Sequence, residues 1–149
     1  MAVETERKFL VKGEFKHLSV QKMEITQVYL VKEPLRTIRI RICDEEAFLT
    51  IKSPALQGTI SRNEWEYRIP VSDAESMLPL SLPGRIVKTR FLVPSGKHIF
   101  EVDLFHEKND GLIIAELELS DENENFEKPD WLGEEVTGDP RYYNSNLAK

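Results

Sequence analysis

Residues 37–52 read TIRIRICDEEAFLTIK, and two alternating runs stand on either side of an acidic turn. In the first run, isoleucines alternate with Arg39 and Arg41, and in the second, Leu49 and Ile51 precede Lys52. Successive side chains of a β-strand point to opposite faces, so each run has one apolar face and one charged face. The intervening Asp-Glu-Glu is typical of a tight turn. The stretch therefore predicts a β-hairpin with segregated faces.

The same alternation recurs along most of the chain. It predicts eight strands, at residues 3–11, 24–31, 37–42, 47–52, 62–69, 85–93, 98–105 and 112–119. Turn residues at 94–96 (Pro-Ser-Gly) and 109–111 (Asn-Asp-Gly) indicate that the last three strands form an antiparallel meander. Eight strands with few helices favour a mainly β (α+β) fold whose sheet curls or closes into a barrel, because closure removes exposed edges.

Helices are few in this reading. Ser72 and Glu75 have the spacing of a capping box, which predicts a short helix that ends at Pro79. Asp139 followed by Pro140 is typical of an N-cap and first helical position, and it predicts a terminal helix over residues 141–148. Residues 12–21 and 121–130 are compatible with a turn or two of helix.

Composition limits the classes of function. The 149 residues carry 20 basic and 26 acidic side chains, a formal charge of -6, which disfavours a nucleic-acid coat but permits a local basic pocket. The length and the absence of a linker predict a single domain over residues 1–149. Cys43 is the only cysteine, which excludes an intrachain disulfide and a thiolate metal cluster. With no apolar run of about 20 residues and a charged N-terminus, we expect a cytoplasmic protein that binds neither membrane nor nucleic acid.

Charged residues recur within the strands, mostly as like-signed pairs two residues apart, with Lys8 and Lys52 standing alone. Six are basic: Lys8, Arg39, Arg41, Lys52, Lys88 and Arg90. Eight are acidic: Glu4, Glu6, Glu64, Glu66, Glu101, Asp103, Glu116 and Glu118. An ordinary solvated sheet face also alternates, but neighbouring like charges repel, and the pairs therefore indicate an ionic ligand between them. Converging bases suit a ligand with several phosphates, and the surplus carboxylates suit a hard divalent cation.

These pairs carry a resemblance to a known family. Residues 4–8 (Glu-Thr-Glu-Arg-Lys) resemble the ExExK signature of the CYTH superfamily, the triphosphate tunnel metalloenzymes. The later pairs follow in that family's order, so the resemblance runs from Glu4 to Glu118, and the tail resembles the family's plug-like C-terminal helix. It implies a single CYTH domain, an eight-stranded antiparallel β-barrel tunnel with inward charges, and Mg²⁺ or Mn²⁺ as cofactor.

The resemblance also implies roles for individual residues. Lys8 would engage the scissile end of the substrate, and Tyr29 is the candidate to act with it as a catalytic residue beside the attacking water. The implied substrate-binding residues are Lys8, Arg39, Arg41, Lys52, Lys88 and Arg90. The implied metal ligands are Glu4, Glu6, Asp103, Glu116 and Glu118. Glu64, Glu66 and Glu101 would serve a second metal or a structural role.

Several activities occur in that family. The expected one is metal-dependent hydrolysis of a small-molecule triphosphate, most simply inorganic tripolyphosphate, by water attacking a terminal phosphoryl group. A class IV adenylyl cyclase, which converts ATP to cyclic AMP and pyrophosphate, is the alternative enzyme, and thiamine triphosphate is a third candidate substrate. A non-catalytic polyphosphate- or nucleotide-binding module is the alternative outside enzymes. The oligomeric state stays open between monomer and homodimer.

Overall fold

The alternating segments form strands in the computed structural model, which describes all 149 residues. The strands are β1 (Ala2–Val11), β2 (Gln21–Glu33), β3 (Arg36–Cys43), β4 (Glu46–Lys52), β5 (Ser61–Ile69), β6 (Ile86–Ser95), β7 (His98–Phe105), β8 (Ile113–Glu118) and β9 (Leu132–Glu135). All eight predicted strands exist with bounds within three residues of those expected. The short ninth strand was not predicted, because four residues carry too little alternation to recognise.

The sheet closes on itself. Its order is β5-β4-β3-β2-β6-β7-β8-β1-β9, and every pairing is antiparallel. A further pairing of β5 with β1, from Ala2 opposite Glu64 to Thr5 opposite Ser61, joins the two ends of the eight-stranded part. Strand β9 then continues beside the second half of β1. This arrangement confirms the predicted eight-stranded antiparallel barrel and the meander of β6, β7 and β8.

The apolar faces of the strands point outward, where other segments cover them. Phe9, Phe100 and Val102 pack with Phe15 and Trp131 from the connecting segments in a cluster of 11 buried residues. Helix α1 (Val71–Met77) covers a second cluster through Ala74, against Ile40 and Ala47. Burial of this surface outside the barrel leaves its interior to the charged faces.

The helices differ in detail from the prediction. The N-cap of helix α1 is Pro70, two residues before Ser72, and no side chain caps the helix, so the capping box was wrong. Short 3-10 helices occupy Lys16–Leu18, Leu78–Leu80, Glu107–Asn109 and Pro140–Tyr142, and residues 121–130 contain no helix. None of these elements combines the length and apolar character that a membrane-crossing helix requires.

The C-terminal segment, residues 140–147, consists of two short helices, and we call it the strap. Asp139 caps its 3-10 helix by accepting from the Arg141 amide, as predicted, and α2 (Asn144–Leu147) follows. Tyr143 between them is extended (ψ 132°), so the continuous helix over 141–148 was wrong. The physical reason is that the carbonyl of Tyr142 accepts a hydrogen bond from Lys8 Nζ (3.1 Å) in place of the helical hydrogen bond from a backbone N–H.

Gly84 tests how this C-terminal segment is anchored. Its φ is +94°, and a Cβ built there would lie 2.4 Å from the backbone carbon of Lys149. Gly58 has a similar φ of +75° but nothing within 4 Å, so it matches the backbone strain without the clash. We expect Gly84→Ala to lower the free energy of unfolding by about 1–3 kcal/mol more than Gly58→Ala. Urea unfolding of both variants measures this difference, and equal losses would contradict the close packing.

Candidate active site

The charged faces line a tunnel of about 200 Å³ inside the barrel. Only two of its 19 lining residues are hydrophobic, and those are Tyr29 and Tyr143. Every predicted site residue except Asp103 lines it: Glu4, Glu6, Lys8, Tyr29, Arg39, Arg41, Lys52, Glu64, Glu66, Lys88, Arg90, Glu101, Glu116 and Glu118. The cause is strand parity, because residues two apart share the inner face. Closure of the barrel brings together charges that the sequence spreads over 115 residues.

Two arginines of β3 form the basic wall. Arg41 donates to Glu66 Oε2 at 3.1 Å, and Arg39 lies 3.9 Å from the same oxygen. Both side chains are about nine-tenths buried, and the Nε atom of each is buried without any hydrogen-bond partner. An unpaired buried donor is costly, because it has lost water and gained nothing in exchange. These orphan donors therefore fit an anion that enters the tunnel.

Asp103 lies behind the wall rather than on it. It is fully buried, it accepts both the Nε (2.8 Å) and an Nη (2.9 Å) of Arg90, and it lies 2.8 Å from Lys88 Nζ. Burial opposes ionisation of Asp103, but Arg90 and Lys88 outweigh it and lower its pKa. Burial also lowers the pKa of Lys88 to about 8, although Asp103 counteracts this. Asp103 thus fixes the two cations of β6.

Carboxylates gather in two sets inside the tunnel, and Arg90 contacts two members of the second set, Glu101 and Glu116. Glu4, Glu6 and Glu118 form one, and Glu6, Glu101 and Glu116 form the other, each with oxygens within 4.8 Å of one another. Glu6 belongs to both sets. Burial and the Glu116 and Glu4 carboxylates raise its pKa well above the ordinary value. Hard oxygen donors this close repel unless a cation lies between them, so the donor set fits Mg²⁺ or Mn²⁺.

Lys8 and Glu116 join the acidic sets to the basic wall. They are opposite one another in the β1–β8 register, with Nζ and Oε1 3.8 Å apart. Burial would raise the pKa of Glu116, but Lys8, Arg90 and Lys88 lower it well below the ordinary value. One side of the tunnel therefore holds a carboxylate that stays charged beside Glu6, which resists ionisation.

A further group of ion pairs lies where β5 pairs with β1. Lys52 Nζ donates to both oxygens of Glu4 (3.0 and 2.9 Å), and Arg62 Nε lies 3.6 Å from Glu4 Oε1. Burial would raise the pKa of Glu4, but Lys52, the Glu64 carboxyl and Arg62 together lower it to about 2. Burial and the Glu4 carboxylate raise the pKa of Glu64 to about 7.

Tyr29 reaches the tunnel because of its position before a bulge. The β2–β3 register shifts between Tyr29 and Val31, so Tyr29 keeps the inward parity of Gln27. Its hydroxyl accepts a long hydrogen bond from Gln27 Nε2 (3.4 Å), and its ring packs in the cluster of Ile86 and Phe105. No hydrogen bond joins it to Lys8, and its catalytic role stays a prediction.

Sequence reasoning missed part of the lining. Arg62 has the parity of Glu64 and Glu66, so the signal for it was present in the strand. The C-terminal residues gave no such signal, since their contribution depends on where the strap crosses the tunnel. Asn144 there accepts from Lys88 Nζ (3.0 Å) and donates to Glu116 Oε1 (3.4 Å).

Comparisons with known proteins agree with this architecture. The family model described as the CYTH domain matches residues 2–143. The chain is 41% identical to an inorganic triphosphatase of Acetivibrio thermocellus, covering 100% of this chain and 95% of the relative. It is 37% identical to an inorganic triphosphatase of Nitrosomonas europaea, with 97% and 96% covered. A crystal structure of an inorganic triphosphatase superposes with a TM-score of 0.66 at 34% identity over 99% of this chain and 95% of that one.

Glu64 gives a pH-dependent prediction for the protein without ligand or metal. Because folding raises its pKa from 4.5 to about 7, the stability it contributes is complete below pH 4.5 and is lost as the pH rises through 7. Glu64→Gln mimics the protonated form, so the variant should match the wild type at low pH and exceed it at pH 8. Discounted for the partial exposure of the side chain to solvent, the expected gain is on the order of 1–2 kcal/mol in the free energy of unfolding.

Urea unfolding in EDTA at pH 5 and pH 8 measures this gain. Glu45→Gln, on the exposed β3–β4 turn, is the matched control and should show no such pH dependence. A Glu64→Gln effect of equal size at both pH values would contradict the assigned ionisation.

Proposed function

The chain belongs to the CYTH domain family, and we propose that it is a divalent-metal-dependent triphosphatase that hydrolyses inorganic tripolyphosphate. The observation that carries the proposal is the pair of buried guanidinium Nε donors without partners, which belong to arginines that line the same tunnel as the crowded carboxylates. A phosphate chain with its cation would satisfy both groups at once. The names of the two curated relatives, both inorganic triphosphatases, support the same substrate.

The basic wall binds the phosphate oxygens in this proposal. Arg39 and Arg41 offer planar guanidinium groups that can grip two oxygens each, and Lys88 and Arg90 act from β6 as clamps held by Asp103. Lys52 adds a further ammonium from β4. We place Asp103 among the residues that orient these cations, together with Glu66, which contacts both β3 arginines. Glu64 likewise orients Lys52, at 3.5 Å from its Nζ.

The crowded carboxylates hold the cation, Mg²⁺ or Mn²⁺. Glu6 would be the central ligand because it belongs to both acidic sets. Glu4 and Glu118 complete the first set, and Glu116 and Glu101 complete the second. Glu101, in the second set, would serve a second ion. When bound, the divalent cation neutralises charge on the phosphate oxygens and polarises the phosphoryl group.

Hydrolysis then needs only a positioned water and a restrained phosphoryl group. Lys8 lines the tunnel beside Glu116, with its Nζ 3.8 Å from Oε1, and its ammonium would hold the terminal phosphoryl group. Tyr29 lines the same space and would position the water. Water attack forms a new phosphorus–oxygen bond and breaks the anhydride bond, which releases phosphate and pyrophosphate.

The lining favours an inorganic chain over a nucleotide. Cyclisation of ATP also needs a surface for the base and a held ribose hydroxyl. The tunnel offers almost no apolar surface for a base, since its hydrophobic lining is limited to two tyrosines. The adenylyl cyclase alternative therefore has weaker support than tripolyphosphate hydrolysis. The expected cytoplasmic location stays a prediction.

The test is a substrate panel on the purified protein. With Mg²⁺ we expect phosphate release from tripolyphosphate, slower release from ATP and loss of release on adding EDTA. Cyclic AMP from ATP without phosphate from tripolyphosphate would overturn the proposal in favour of a cyclase. Binding of tripolyphosphate without turnover would indicate a non-catalytic module.

Glu6→Ala tests the metal assignment. Removal of the carboxylate shared by both acidic sets should lower turnover by at least 100-fold, by analogy with the several kcal/mol that metal ions supply to phosphoryl transfer. Glu45→Ala, on the exposed turn, is the control and should be fully active. Circular dichroism checks that both variants are folded, and unchanged turnover in folded Glu6→Ala would contradict the assignment.

A further inference from the structure

We infer that Arg62 determines the specificity of the site, by binding the phosphate group of tripolyphosphate farthest from the scissile bond. This inference rests on the proposed function and deepens it. Arg62 would recognise the unesterified outer phosphate of an inorganic chain and gain little from a nucleotide, in which the corresponding phosphate carries a ribose.

Arg62 lies where the tunnel opens towards the surface. It lies on β5 directly opposite Glu4 of β1 and lines the tunnel. It also lines a second cavity of about 770 Å³, which continues from the tunnel to the surface and which we call the mouth. Arg39, Arg41, Lys88 and Arg90 line the tunnel alone. Lys8, which would hold the scissile end, also lines the mouth, but it lies four residues beyond Glu4 on β1. Arg62 can therefore bind the opposite end of a phosphate chain that the four tunnel residues hold.

The Arg62 guanidinium has donors that no protein group uses. The Arg62 guanidinium makes no hydrogen bond, and its nearest acid is Glu4, at 3.6 Å from Nε. Glu4 is already bound by Lys52 at 2.9–3.0 Å through both of its oxygens. The side chain of Arg62 is 36% exposed, compared with 12% for Arg39, so it can turn towards a ligand in the mouth.

Each of the other cations of the mouth has a closer protein partner than Arg62 has. Lys32 donates its Nζ to the Ala148 carbonyl at 3.0 Å, and Arg36 pairs with Glu33 at 3.0 Å. Lys8 donates to the Tyr142 carbonyl at 3.1 Å, and Lys52 is held by Glu4. Arg62 is therefore the basic residue of the mouth with the longest contact to its protein partner, at 3.6 Å from Glu4.

The chemistry of the two substrates supplies the discrimination. The outer phosphate of tripolyphosphate has three non-bridging oxygens and the higher charge, so it can accept two parallel hydrogen bonds from a guanidinium. In a nucleoside triphosphate, one of those oxygens is esterified, which removes charge and places a sugar in the mouth. Loss of a hydrogen bond to a charged group usually costs tenfold or more in affinity. We expect Arg62 to supply roughly that factor to tripolyphosphate and little to ATP.

The experiment compares Arg62→Gln and Arg62→Lys with the wild type on tripolyphosphate and on ATP, with Mg²⁺. For Arg62→Gln we expect KM for tripolyphosphate to rise about tenfold with kcat within about twofold, while KM for ATP changes less than about twofold. Arg62→Lys should fall between, because lysine keeps the charge but lacks the planar fork. Arg36→Gln removes a mouth guanidinium that is 62% exposed and already paired, and it should change neither constant.

Equal losses for both substrates would overturn the inference, since Arg62 would then bind what the substrates share. A fall in kcat at constant KM, or no change at all, would also overturn it. Calorimetric titration of tripolyphosphate and ATP into EDTA-treated protein gives the same comparison as dissociation constants. An inactive wild type would then contradict the proposed function, while the ratio of dissociation constants in Arg62→Gln would still decide the role of Arg62.

Discussion

Charges enclosed in the barrel need partners there, and the rest of the structure depends on this constraint. An ion removed from water is stable only when other charges or hydrogen bonds replace the solvent. Asp103 shows the satisfied case, with Arg90 and Lys88 at 2.8 Å. Glu6 shows the unsatisfied case, since burial and the neighbouring Glu116 and Glu4 carboxylates raise its pKa. The tunnel thus contains fixed ion pairs, such as those of Asp103, and groups without a partner, such as Glu6. The groups without a partner define the ligand.

The enclosure of charge also explains the outer layers. A barrel with a polar interior must bury its apolar surface elsewhere, so the strands turn their aromatic and aliphatic faces outward. Trp131 and Phe126 from the segment before β9 cover one side, and α1 covers another. The C-terminal strap has a double role, because Leu147 packs against the barrel while Asn144 reaches the tunnel. The outer layers thereby hold in place strands that the interior alone would not hold together.

Strand parity made much of this readable from the sequence. Alternation in segments such as TIRIRI fixes which side chains share a face, and like-signed pairs on one face indicate an enclosed ligand. Parity also places Arg62 on the inner face of β5, on the same side as Glu64 and Glu66. It could not reveal that Asp103 would lie behind the wall, since depth depends on how neighbouring strands pack. The strap was unpredictable for a similar reason, because the contact between Lys8 and the Tyr142 carbonyl joins residues 134 apart in sequence.

The position at which a metal–tripolyphosphate complex binds tests the proposed site most directly. Anomalous diffraction from crystals of the protein soaked with Mn²⁺ and tripolyphosphate locates the ion directly. We predict a peak inside the barrel within coordination distance of Glu6, with phosphate density against Arg39 and Arg41. A peak confined to the outer surface, or phosphate density outside the barrel with an empty tunnel, would contradict the account.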